Sequence, residues 1–105
     1  MKNEFIIKDF SSKEKKVKLQ VAEYLDGNTY VGLTDEDDFY YNDITVNLGI
    51  DLPEYFGFVD TNNNPNAESF ILDNELGENT GETMRSGFCV YPLYKFNQEK
   101  LENLV

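Results

Sequence analysis

Val17, Leu19 and Val21 alternate with Lys16, Lys18 and Gln20. Successive side chains of an extended chain point to opposite faces, so this spacing builds a strand with one apolar side and one wet side. The same period returns at Ile44, Val46 and Leu48, set against Asp43, Thr45 and Asn47. One-sided strands suit an antiparallel sheet that covers a core with one face and meets water with the other. Asp26-Gly27-Asn28 reads as a turn, and Thr29-Tyr30-Val31-Gly32-Leu33 as the strand that returns from it. Glu4-Phe5-Ile6-Ile7-Lys8 reads as a short first strand, linked onward by the polar SSKEKK of residues 11–16. Tyr55 to Val59 supplies a further apolar run, and Phe88 to Phe96 is the most apolar stretch of all. Pro92 lacks a backbone donor, so that last segment is expected to be bulged or broken at Pro92, or to be an edge strand.

Helical spacing occurs in two places. Ala67, Phe70, Ile71 and Leu76 share a stripe, Pro65 suits a first helical turn and Asn64 is a favoured N-cap, which predicts a helix over about 65–75 ended by Gly77. Leu101 and Leu104 predict a short C-terminal helix behind Asn97. Glu78 to Gly87, polar and holding Gly81 and Gly87, reads as an exposed loop. The fold class expected is α+β: one domain over residues 1–105, a small antiparallel sheet of about five or six strands, one central helix packed on one face, and the short C-terminal helix.

Size and composition bound the rest. A chain of 105 residues supports one modest core, and eight Phe and seven Tyr with no Trp make that core aromatic. No apolar run approaches the roughly 18 residues needed to cross a bilayer, and charges interrupt the N-terminus, so a cytoplasmic protein with no membrane partner is expected. The single cysteine, Cys89, rules out an internal disulfide, and the absence of histidine removes the usual zinc sites and the commonest general base. Charge is split: residues 1–18 carry six lysines against three acids, and the remainder carries seventeen acids against Arg85, Lys95 and Lys100, a net −14. Such a surface repels nucleic acid and anionic membrane surfaces, whose binding depends on basic side chains, and favours cations or basic proteins. Acidity also keeps a protein dispersed whether or not it has a partner.

Three motifs compete for a functional role. Asp60, Asn62 and Asn64 match the first oxygens of a calcium loop, but Pro65 stands where that loop needs glycine and Ile71 where it needs glutamate. Asx turns and a helix start explain the asparagines without a metal. Asp35-Glu36-Asp37-Asp38, followed by Phe39, Tyr40, Tyr41 and Asp43, joins carboxylates to aromatic rings, the composition of an interface for a basic partner. Cys89 and Ser86 lack a base to activate them, and the apolar alternation around Cys89 predicts a buried, inert thiol. No catalytic residue, metal or cofactor is therefore expected.

FVDTNNNPNAESFI (58–71), LGENTG (76–81) and SGFCVYPLYKF (86–96), with ITVNL (44–48), resemble a small family built on a domain of unknown function in low-GC Gram-positive bacteria. The resemblance covers about forty residues, including Tyr91 and Pro92. It implies carriage on conjugative transposons and related mobile elements, and brings no assigned activity or site. Together these readings lead to a non-enzymatic binding module, in its sharpest form an acidic DNA mimic that inhibits a basic host defence protein. The alternatives are a self-associating accessory protein, pairing as a homodimer through Tyr91 and Tyr94 or an exposed strand edge, and a divalent-metal protein using the acidic loops.

Overall fold

The computed structural model describes residues 2–105. Its elements run β1 Phe5–Lys8, β2 Glu14–Glu23, β3 Thr29–Thr34, β4 Tyr40–Asp43, β5 Thr45–Val46, β6 Phe56–Val59, α1 Ala67–Asp73, β7 Gly77–Ser86, β8 Cys89–Phe96 and α2 Gln98–Glu102. The strands form two antiparallel four-stranded sheets rather than one, with orders β1-β2-β3-β4 and β5-β6-β8-β7. Period-two alternation places Val17 and Leu19 of β2, and Val31 and Leu33 of β3, in the core. The expected hairpin is present, with Val21 opposite Val31.

The chain passes from one sheet to the other through Ile44, which is fully buried. The Ile44 N–H donates to the Val31 carbonyl at 2.9 Å, and the Val31 N–H donates to Thr45 Oγ1 at 3.1 Å, so β5 is held against β3. This turn ends the alternating segment sooner than its pattern suggests: Asp43 closes β4, and only Thr45 and Val46 form β5. Helix α1 contacts β1 and β7, one outer strand from each sheet, and buries Ala67, Phe70 and Ile71 in the main core. A smaller cluster of Phe58, Tyr91 and Leu93 lies under Leu48 and Leu52 of the segment between β5 and β6.

Several expectations are corrected. The molecule is mostly β, and α1 is a seven-residue element rather than a central helix over 65–75. Asn64 is not its cap. Its N–H donates to the Asp60 carbonyl at 2.9 Å, it is buried, and Pro65 and Asn66 form a turn before Ala67 opens the helix. Gly77 does not end the helix but starts β7, because Glu75 has already taken the left-handed conformation at φ 54°. Residues 78–86 belong to β7 rather than to a loop, and Gly87 with Phe88 forms the tight turn into β8. Paired along one edge and wet on nearly all its side chains, β7 carries no apolar period to betray it. Pro92 sits in an inner, unbroken strand, and the irregularity falls on its neighbour, between Asn79 and Thr83 of β7. Tyr91 and Tyr94 are buried, which removes them as surfaces for self-association. Asn97 does cap α2, accepting from the Lys100 N–H at 3.1 Å.

Candidate functional site

The acidic run forms the connection of the β3–β4 hairpin. Asp35 folds it: its Oδ1 accepts from the N–H groups of Asp37 at 2.9 Å and Phe39 at 3.1 Å, and its own N–H donates to the Phe39 carbonyl at 2.8 Å. A carboxylate satisfying two backbone donors fixes the loop without any ion. Asp38, at φ 67°, pairs with Lys18 at 3.0 Å. Glu36 and Asp37 extend into water beside Phe39 and Tyr40, which are 71% and 66% exposed. Two large rings left this open beside carboxylates are the unusual feature of the hairpin.

Tyr40 leads into a second group. The Tyr30 hydroxyl donates to Asp43 Oδ1 at 2.7 Å, and the Tyr24 ring meets Tyr30 edge-on with centroids 5.5 Å apart. Tyr24 bonds Thr45 Oγ1 at 2.9 Å. Register places Asp43 opposite Gly32, and a Cβ on Gly32 would stand 1.9 Å from the Tyr30 hydroxyl, so the ring lies across that glycine. Burial, then the bond to Asp43, raises the Tyr30 pKa well above that of a free phenol. Burial likewise raises Tyr24, opposed by its bond to Thr45, and raises Tyr40, with Asp43 adding to the shift. All three phenols therefore stay protonated at physiological pH.

The candidate residues do not form one patch. Tyr40 and Asp43 share this group, whereas Tyr41 lies with Lys15, whose Nζ is 5.6 Å from its ring centre. Asp60 is buried, and its two oxygens accept from the backbone and side-chain nitrogens of Asn63 at 3.2 and 3.0 Å. Asn62 is exposed and Asn64 Nδ2 reaches the Asp43 carbonyl at 3.5 Å, so the calcium-like spacing builds a strand-to-helix joint. Among the described residues no three acids or cysteines converge as a metal site. Tyr24, Tyr30 and Gly32 were not singled out from sequence. Gly32 within a strand was the available signal, since glycine there often marks a close approach.

Among the described residues no helix is long and apolar enough to cross a membrane. No curated protein and no solved structure matches the chain. The match to a protein family spans residues 18–105, further than the three signature segments, and takes in the acidic hairpin and the tyrosine group. The chain belongs to the family described as domain of unknown function DUF4313.

Proposed function

We propose that the protein is a non-enzymatic binding module that takes a basic protein partner on the β3–β4 hairpin. The observation that carries this reading is the exposure of Phe39 and Tyr40 beside Glu36 and Asp37. Open rings supply anchoring area, and carboxylates steer and orient a cationic surface. The wider charge supports it: the chain carries a net −11 with no histidine. In its narrower form the partner is a nucleic-acid-binding host protein whose basic cleft the module occupies, which suits the mobile-element setting implied by the resemblance.

The test is retention of proteins from host lysate at low salt on immobilised wild type and on Phe39→Ser/Tyr40→Ser. A basic protein held by wild type, lost from the double variant and released by salt is the expected result. Equal retention by both, or no basic protein retained at all, overturns the proposal. Addition of duplex DNA tests the narrower form: a mimic is displaced by it, and an ordinary acidic ligand bound elsewhere on the partner is not.

A further inference from the structure

The first strand has an open edge. The Asn3 side chain bonds both the N–H and the carbonyl of Leu19, at 2.7 and 2.9 Å, so Leu19 turns its backbone groups toward β1. Register then pairs Phe5 with Val17 and Ile7 with Lys15 on that side. Backbone groups alternate in direction along a strand, which leaves Glu4, Ile6 and Lys8 turning theirs away from β2. The Lys8 carbonyl confirms the direction, since Asn66 Nδ2 reaches it from outside at 2.8 Å. Beside this edge runs a groove of about 1030 Å³ bounded by Ile6, Lys8, Ser69 and Asp73.

Proteins protect such edges with bulges, prolines, charged side chains or very short strands. An outer strand of the other sheet, β7, has a bulge and charges: it is irregular between Asn79 and Thr83 and carries Glu78 and Glu82. β1 has neither bulge nor proline; it is four residues long, and the charges along it, Glu4 and Lys8, are of opposite sign. Its outward side chains are Glu4, Ile6 and Lys8, all exposed, with Ile6 at 50%. Glu4 has an exposed 3.9 Å contact with Lys2 as its ion pair.

We propose that the β1 edge pairs antiparallel with β1 of a second copy of this chain, centred on Ile6. An acid, an apolar residue and a base at two-residue intervals are complementary to their own reversed copy. With Ile6 opposite Ile6 of the second copy, each Glu4 faces a Lys8, and the exposed apolar side chains cover each other. The Lys8 carbonyl keeps its bond to Asn66, because a carbonyl accepts two donors. The sheet β1-β2-β3-β4 thereby continues across a two-fold axis.

Charge exchange tests both the interface and its register by sedimentation or light scattering. Wild type is expected to dimerise. Glu4→Lys and Lys8→Glu each set like charges opposite one another and weaken the dimer by about tenfold or more. The two weakened variants mixed together, and the double variant Glu4→Lys/Lys8→Glu alone, each restore opposite charges at both ends and recover the dimer. A wild type that stays monomeric to about 1 mM overturns the proposal. So does a dimer indifferent to both single substitutions, or single losses that neither the mixture nor the double variant repairs. The altered side chains are exposed, and circular dichroism of each variant is the check that the fold is intact.

Discussion

Tyr30 and Asp43 meet at 2.7 Å only because nothing projects from Gly32 between them. A Cβ at position 32 would fall 1.9 Å from the Tyr30 hydroxyl and 2.4 Å from Cζ, inside the ring's own volume. Gly32→Ala must therefore swing the ring away, breaking the bond to Asp43 and the edge-on contact with Tyr24. The expected loss is about 2 kcal/mol in urea unfolding. In a Tyr30→Ala background the obstruction is gone, and Gly32→Ala should cost less than about 0.5 kcal/mol. Equal costs in the two backgrounds would show that the glycine serves the strand and not the tyrosine.

Stability should fall steeply in alkali. Tyr30 and Tyr94 both have raised pKa values, through burial first and then through the carboxylates of Asp43 and Glu68 that accept from their hydroxyls. Below about pH 10 both phenols are protonated in the folded and unfolded chains, and their contribution is fully present. As pH rises past that value the unfolded chain ionises first and binds fewer protons than the native one, so unfolding becomes easier. Melting temperatures measured between pH 8 and 11 should decline, and Tyr30→Phe/Tyr94→Phe should decline less steeply while melting lower at pH 8.

Asn28 ties a loop down. Its Nδ2 donates to the Ile50 carbonyl at 2.7 Å and to Asn47 Oδ1 at 3.1 Å, and its Oδ1 accepts from the Leu52 N–H at 3.1 Å. The segment it holds places Leu48 and Leu52 over Phe58, Tyr91 and Leu93. Asn28→Ala leaves these partners unsatisfied and frees the cover, at an expected cost of about 2–3 kcal/mol. Hydrogen exchange at the Leu52 amide should speed up well before global unfolding. An unchanged exchange rate there would mean that apolar contact alone holds the segment.

How much of this was visible in sequence depends on whether a residue's environment was local. Val17, Leu19, Val31 and Leu33 announced their burial because alternation along one strand suffices to predict it. The β7 strand gave no such sign: its side chains are nearly all wet, and its strand character comes from pairing with β8. The division into two sheets was likewise hidden, since it turns on the contacts of Ile44 and Thr45 with Val31, more than a dozen residues earlier. Of the candidate segment, the loop at Asp35 to Asp38 was legible from its run of charges, but the strand Tyr40–Asp43 that makes it a hairpin was not, because its residues show no apolar alternation. Its junction with Tyr24 and Tyr30 was not, because register between β3 and β4 brings Asp43 to Gly32.

The end of α1 carries a correctable fault. The Leu76 N–H donates to the Ile71 carbonyl at 2.9 Å and the Glu75 N–H to the Leu72 carbonyl at 3.2 Å, the paired bonds of a Schellman ending. That ending requires a left-handed residue after the cap Asn74, and Glu75 fills the position at φ 54°. For a residue with a Cβ this conformation costs on the order of 1 kcal/mol, whereas glycine adopts it freely. Gly77, two positions later, is too late to serve. Glu75→Gly removes the strain but also an ion pair with Lys100 at 3.3 Å, whose Glu75 side chain is 84% exposed and so contributes little. Added freedom in the unfolded chain offsets part of the gain. The expected net is a stabilisation of about 0.5 kcal/mol, read as a higher urea midpoint with an unchanged slope. Glu75→Ala, which keeps the Cβ and loses the same ion pair, separates the two effects: it should leave the midpoint equal to wild type or slightly below it.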